Sequence, residues 1–471
     1  MPIRDSILQK LRDIAGPDGY LDRPADIAPY LVDFRQLYHG ATPLVLRPAS
    51  TAQVAALLKV CHRESVGVVP VGGNTSYCGG ATPGNANDEV VISMARMRQV
   101  RRVDPLNYAL VAEAGCVLAE IQAAADAAER FFPLSLGSEG SCQLGGNLST
   151  NAGGTAVLHY GMMRDLVLGL EIVLPDGTVV DGLKALRKDN TGYDWRNLFI
   201  GAEGTLGIIT AAALKLYPKP VSTATALIAV RDPAAAVALL ASLRAFTGDC
   251  VTTFELMPRL ALELVFKHIA RTSDPFDSRH EWYVLAEATT SRNDERLRTW
   301  IEAALEKALE EQLVVDAVFA ENSSQRAGLW RIREHIPEAQ KLEGASIKHD
   351  ISVTTPDLPA FIVEATAAIR HILPQARMVT YGHMGDGNLH FNVSEPLAGN
   401  RAAFESATAA INRAVHDLVA KYRGSISAEH GIGRLKREEL AHYKSPAELD
   451  LMRSIKRAID PKGIMNRGKV L

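Results

Sequence analysis

The chain has 471 residues, 47% hydrophobic and 22% charged, which excludes a disordered protein and exceeds what one ordinary core holds. A formal net charge of −3 gives no basic surface for nucleic acid, and no apolar run reaches the length of a membrane span. Cys61, Cys78, Cys116, Cys142 and Cys250 are scattered without a C-x-x-C spacing, and the charged N-terminus lacks the apolar centre of a signal peptide. Free thiols and a cytoplasmic location are the expectation.

In chain order, the pattern predicts a helix over Ser6–Ala15 and another over Thr51–His62, where Val54, Leu57, Leu58 and Cys61 recur at helical spacing behind a Ser50 or Thr51 cap. Strands are expected at Val66–Val69 and Glu89–Ser93, with a helix at Leu118–Glu129. Leu168–Leu174 and Thr178–Val180 flank Pro175-Asp-Gly177 and read as a hairpin. A strand-rich stretch, Thr205–Tyr217, ends at Pro218-Lys-Pro220, the expected domain boundary. The pattern then restarts with strands at Ala224–Val230, Thr252–Leu256, Trp282–Glu287 and Val314–Phe319. These alternate with helices at Pro233–Phe246, Pro258–His268 and Asn293–Glu311, an α+β arrangement. Helices at Pro356–Ile372, Ala402–Tyr422 and Pro446–Ala458 complete the chain.

The first half concentrates glycine in three places. Pro70–Gly80 (PVGGNTSYCGG) follows a strand, Leu136–Gly154 carries a denser run, and Gly201–Thr210 (GAEGTLGIIT) enters a strand. Successive exposed N–H groups in such loops form anion nests, so a phosphate or pyrophosphate is the natural occupant. No G-x-G-x-x-G follows a strand and no G-x-x-x-x-G-K-[ST] exists, which argues against a Rossmann NAD domain and an ATPase.

The second half carries chemistry in Tyr381–His390 (YGHMGDGNLH) and Ser427–Gly431 (SAEHG). A lone histidine is more often a hydrogen-bonded turn residue than a ligand. Here Met384–Asn388 is a turn signal between apolar stretches, so a hairpin would set His383 and His390 across from one another, with Asn392 on the same face. With Glu429 and His430 these supply three metal ligands and a spare base, leaving one coordination position open as catalysis requires.

These motifs resemble two families. The three glycine segments look like the FAD domain of the vanillyl-alcohol oxidase (PCMH-type) flavoproteins. The histidine hairpin, Ser427–Gly431 and Asp460–Asn466 (DPKGIMN) are similar to the FAD-linked oxidase C-terminal domain of the D-2-hydroxy acid dehydrogenases. The resemblance runs from about Pro43 to the C-terminus and implies an α+β fold: a PCMH-type FAD-binding domain of two α+β subdomains, an α+β substrate or cap domain, and a helical C-terminal tail. The expected divisions are a helical lead-in (1–42), the FAD domain (43–219), the substrate domain (220–425) and a segment returning to the flavin (426–471).

By the same resemblance, Pro70, Gly72, Gly73, Asn74, Thr75 and Ser76 hold the FAD pyrophosphate. Gly137, Ser138, Cys142, Gly145, Asn147, Thr150 and Gly154 line the flavin and ribityl chain. Glu203, Gly207 and Ile209 meet the adenine side, and Asn466 touches the flavin from the tail. The first loop has no histidine, so FAD is expected to be non-covalent. Oxidation of a 2-hydroxy acid needs a hydride acceptor and a base. His383, His390 and Glu429 are the expected ligands of a divalent metal, Zn²⁺ or Mn²⁺ rather than Ca²⁺ or Mg²⁺, and His430 is the expected base.

The resemblance places Arg333 and Lys348 at carboxylate-binding positions, with Asn392 bonding the same end of the substrate. D-2-hydroxyglutarate is the first expectation. Pro337, which stands one turn after Arg333 where such enzymes offer a hydroxyl, keeps D-lactate and other monocarboxylates open. A zinc hydrolase, a non-catalytic FAD-binding subunit and an O₂-using oxidase are the alternatives from the residues alone. No haem or iron–sulfur spacing exists, so electrons are expected to leave to a partner; the resemblance implies an electron-transferring flavoprotein or quinone as acceptor, and a homodimer.

Overall fold

The computed structural model describes residues 2–397 and 401–471. It divides into two compact units: Met1–Gly153 with Gly161–Lys219 and Glu429–Leu471, and Gly154–Tyr160 with Pro220–Ala428.

In the first unit, Val45–Leu46, helix Thr51–Glu64 and strand Gly67–Val71 form a crossover, with Glu89–Ser93 lying parallel between the two strands. Ser50 caps the helix by accepting from Gln53 N at 3.2 Å. Val54, Leu57, Leu58 and Cys61 are buried as their spacing predicts, in one cluster with Leu11, Val68, Ile92 and Met97. A second, antiparallel sheet runs in the order Val100–Asp104, Ala109–Glu113, Ile208–Lys215, Val167–Val173, Val179–Asp181. Val167–Val173 is buried at every position, which explains its apolar sequence; its one charged residue, Glu171, is paired with Arg101 and Thr51. The Val100–Glu113 hairpin was not expected from sequence; its first strand is charged and half-exposed and carries no alternation. Near the C-terminus the chain returns to this unit, Val68 N donating to Ile464 O and Asn466 N to Val68 O, both at 2.8 Å.

The second unit is built on an eight-stranded sheet, antiparallel at each pairing. Its order is Val314–Phe319, Ser222–Val230, Trp282–Thr290, Val251–Pro258, Arg377–His383, Asn388–Ser394, Ser346–Ile347, with Asp350–Ser352 also pairing with Asn388–Ser394. Helices Pro233–Thr247 and Arg296–Glu310 pack together, as do Leu358–Ile372 and Arg401–Lys421. Leu227, Met257, Leu262, Tyr283, Ile332 and Val379 share one core. The short helix Val157–Tyr160 belongs here, against Val251–Pro258, although its neighbours in sequence belong to the first unit. The helix carrying Arg333 stops at Glu334, and a new one starts at Ile336 with Pro337 in its first turn, where a missing N–H costs nothing.

Among the described residues no helix is long and apolar enough to cross a membrane, and no disulfide joins any two of the five cysteines.

Candidate active site and cofactor cradle

The three glycine segments of the first unit press into one another. A Cβ on Gly73 would fall 2.3 Å from Ser141 O, and one on Gly72 would fall 3.3 Å from Gly146 N. Gly201 N donates to Leu148 O and Glu203 N to Ser149 O, at 2.9 and 2.8 Å, while a Cβ on Gly204 would meet Pro70 Cγ at 2.9 Å. Glycine is therefore required at Gly73 by close approach alone. Within the middle run, Leu144–Ser149 is helical; sequence gave no sign of it, because two of its six residues are glycine.

Asn74, Asn151, Glu203 and Asn466 all hold left-handed backbone, with φ of 53°, 49°, 51° and 43°. Non-glycine residues adopt that region rarely, and four of them gather in these loops. The Asn74 amide donates to Val32 O at 3.0 Å, so its side chain anchors the loop and its contribution to an anion nest is the backbone. Thr150 Oγ1 donates to Gly146 O at 3.0 Å, and Asn147 Nδ2 lies 3.6 Å from the buried Cys142 Sγ. Gly207 abuts Val173 O just before the strand begins, and Ile209 pairs with Ile172 within the sheet. Asn466 Nδ2 donates to Gly80 O and Glu203 O at 2.9 and 2.7 Å, joining the first and third segments. Buried Gln143 Oε1 and Asn466 Oδ1 have no hydrogen-bond partner among the described residues. Glycine N–H groups at close quarters and spare buried acceptors fit a large dinucleotide such as FAD. Pro70, Thr75, Ser76, Gly137, Ser138 and Gly145 lie in the same segments, whereas Gly154 falls in the second unit.

Glu203 accepts from Ile432 N and Gly433 N at 2.7 and 2.8 Å, so its carboxylate clamps the turn that follows Glu429 and His430. Burial raises its pKa despite those two bonds. The His430 ring meets Tyr77 edge-on at 4.7 Å, and its Nε2 stands 3.8 Å from Glu429 Oε1. Tyr77 was not singled out in sequence, although it lies in the first glycine loop.

In the second unit the hairpin register corrects one expectation. Tyr381, not His383, stands opposite His390; His383 is two residues further along the strand and pairs with Glu255 of the neighbouring strand. The two imidazoles are diagonal neighbours on one face, with ring centres 5.5 Å apart. The bend is tighter than a free loop, since Gly387 has φ 87° and a Cβ there would fall 2.2 Å from Val353 O.

Glu255, fully buried, organises this face. Its Oε1 accepts from His383 Nδ1 at 2.6 Å and its Oε2 from Arg333 Nε at 2.5 Å. Burial alone would raise the pKa of Glu255, but the charges of Arg333 and His383 outweigh it and hold the carboxyl at about 2. A histidine fixed through Nδ1 by a carboxylate presents Nε2, the arrangement seen around metal-binding imidazoles. Arg333, also buried, lies 4.9 Å from the Tyr381 ring centre. Asp350 is the register partner of His390 and accepts from Asn388 Nδ2 at 3.0 Å. Lys348 is exposed two residues earlier. Asn392 donates to Gln340 Oε1 at 2.9 Å, and its buried Oδ1 has no hydrogen-bond partner among the described residues.

Comparison with known proteins now bears on these two faces. Residues 219–470 match the model of the FAD linked oxidases, C-terminal domain, and residues 42–182 match an FAD binding domain. The chain belongs to the FAD-linked oxidase family. It is 38% identical to the mitochondrial D-2-hydroxyglutarate dehydrogenase of Arabidopsis thaliana, over 98% of this chain and 80% of that protein. It is 36% identical to a putative mitochondrial D-lactate dehydrogenase of Schizosaccharomyces pombe, over 97% of this chain and 88% of that one. In fold it resembles p-cresol methylhydroxylase with a TM-score of 0.77 at 16% identity, covering 99% of this chain and 96% of that one. The FAD-linked oxidase has the α+β, PCMH-type architecture, and the first two glycine segments lie within the matched FAD binding domain. The hydrolase alternative is displaced, because the first unit is a flavin domain.

Proposed function

We propose that this FAD-linked oxidase is a dehydrogenase that converts a D-2-hydroxy acid, D-2-hydroxyglutarate first, to its 2-oxo acid. The observation that carries the reading is the buried Arg333–Glu255–His383 chain, which sets a guanidinium for carboxylate binding beside an imidazole with its Nε2 presented. The likeness to a D-2-hydroxyglutarate dehydrogenase supports the substrate.

In this mechanism Arg333, Lys348 and Asn392 orient the acid. Arg333 is held on Glu255 through Nε, which fixes the plane of its guanidinium on this face. Buried Asn392 Oδ1 is an acceptor, suited to a substrate hydroxyl rather than to a carboxylate oxygen. His383, His390 and Glu429 would hold a divalent metal, Zn²⁺ or Mn²⁺, which would supply Lewis-acid chemistry at the substrate hydroxyl. His430, steadied by the Tyr77 ring, takes the hydroxyl proton at Nε2. FAD, when bound non-covalently, supplies a two-electron acceptor for the substrate hydride. Electron-transferring flavoprotein or quinone is the proposed final acceptor, and a homodimer the proposed assembly.

A second substrate is favoured by Pro337 and by the likeness to a D-lactate dehydrogenase. Steady-state assays with an artificial acceptor decide between them: kcat/KM for D-2-hydroxyglutarate is expected to exceed that for D-lactate at least tenfold, about 1.4 kcal/mol of discrimination. The reverse order would transfer the assignment to the monocarboxylate, and no turnover of either would remove it. EDTA dialysis is expected to abolish turnover, with Zn²⁺ or Mn²⁺ restoring it.

A further inference from the structure

Beyond the glycine cradle, the first unit contains a cavity of 510 Å³ lined by Arg434, Arg437, Arg467 and Lys469, with Asp88 and Glu89 as the acids on its wall. Its lining shares no residue with the three glycine segments. Arg467 and Asp88 satisfy one another at 3.4 Å, and Arg467 also donates to Ser65 O and Gly463 O. Glu89 accepts from Gly84 N at 2.7 Å and is the counter-charge facing Lys469. The two acids therefore answer two cations, and Arg434 and Arg437 are in excess.

Arg434 is held in place, its guanidinium 4.7 Å from the centre of the Tyr38 ring. Lys469 is 3% exposed, and among the described residues its ammonium makes no hydrogen bond or ion pair. Its stem is buried while the ammonium itself is not sealed from the water of the cavity, so an anion entering there can meet it. Burial, only partly offset by Glu89, pushes the Lys469 pKa down to about 8, and an anion in the cavity would bring it back up.

We propose that this cavity is an anion site for a phosphate monoester dianion. Two surplus guanidinium forks match a dianion, and they match phosphate geometry in bidentate fashion. A monocarboxylate would leave one fork unanswered, and a nucleic-acid chain would meet the acids and the overall charge of −3. The volume exceeds that of a phosphate group and leaves room for a small organic portion.

The test is calorimetric titration of the FAD-loaded full chain with glycerol 3-phosphate, inorganic phosphate and sodium chloride at matched ionic strength. Glycerol 3-phosphate is expected to bind with a Kd of roughly 1 mM or tighter and ahead of inorganic phosphate, with no saturable heat from chloride. Arg437→Gln and Lys469→Met are each expected to weaken binding at least tenfold while the flavin spectrum stays unchanged. Should Lys469→Met fail to fold, the exposed Arg437→Gln alone decides. Equal affinity for ester and free phosphate would overturn the ester assignment. Heat indistinguishable from chloride, or variants that bind like the parent, would overturn the site.

Discussion

Glu255 is the residue on which the second unit's functional face depends. Its two oxygens are divided between Arg333 and His383, whose charges offset its full burial. Glu255→Gln sets a neutral amide against the buried Arg333 guanidinium where the carboxylate stood. It is expected to cost about 3–5 kcal/mol of stability and roughly 10–100-fold in kcat/KM, read by thermal unfolding and by flavin reduction. A Gln variant with the parent's melting temperature and rate would mean that the carboxylate positions nothing. At this scale the sequence was legible where chemistry repeats locally: His383, His390, Glu429 and His430 stand in two short motifs. Glu255 was not, because it lies 128 residues before His383 in an ordinary apolar strand and only sheet pairing joins them. Asp350 was missed for the same reason, and Tyr77 because an aromatic in a glycine loop carries no spacing signal.

Among the elements, the glycine loops make the sharpest steric prediction. Gly73→Ala places a methyl 2.3 Å from Ser141 O, which is backbone and cannot swing away. FAD content after purification is expected to fall at least tenfold, equivalent to about 1–3 kcal/mol of misfit, while the second unit stays folded. An Ala variant that retains a full complement of FAD would refute this cradle.

A second prediction concerns Glu343 at the end of helix Ile336–Glu343, which binds Lys267, His268 and Arg377 at 2.6–2.8 Å. Burial raises its pKa, but those partners outweigh it and hold the carboxyl at about 2. A depressed carboxyl contributes stability above its unfolded value of about 4.3 and loses it as pH falls towards 2. Glu343→Gln is therefore expected to cost about 1.5–3 kcal/mol at pH 7, with the gap closing below about pH 4. A gap that stays constant on acidification would remove the ionic explanation. Helices were the most legible elements, since Ser50, Asp232 and Ser445 stand where N-caps belong and accept from the third residue on. Leu144–Ser149 and the Val100–Glu113 hairpin were not, because glycine content in one and surface charge in the other mask the period.

For the whole molecule, two separate cores predict two unfolding transitions rather than one. FAD bound only to the folded first unit adds stability by mass action, about 2.7 kcal/mol at a hundredfold excess over Kd. Calorimetry with increasing FAD is expected to raise one transition and leave the other in place; a single transition that moves as a whole would contradict it. The α+β, PCMH-type class was legible because three glycine segments and two histidine motifs form a combination that few folds demand. The attachment of Gly154–Tyr160 to the second unit was not, since seven residues without a turn signal give no hint of changing cores.

The central claim, that this flavoprotein oxidises a D-2-hydroxy acid, is tested most directly by anaerobic mixing of the FAD-loaded protein with D-2-hydroxyglutarate. The expected result is stoichiometric bleaching of the flavin, slowed at least tenfold by Glu255→Gln and absent with the L-enantiomer. An FAD-loaded protein that neither D-2-hydroxyglutarate nor D-lactate bleaches would contradict the claim and leave only the flavin fold.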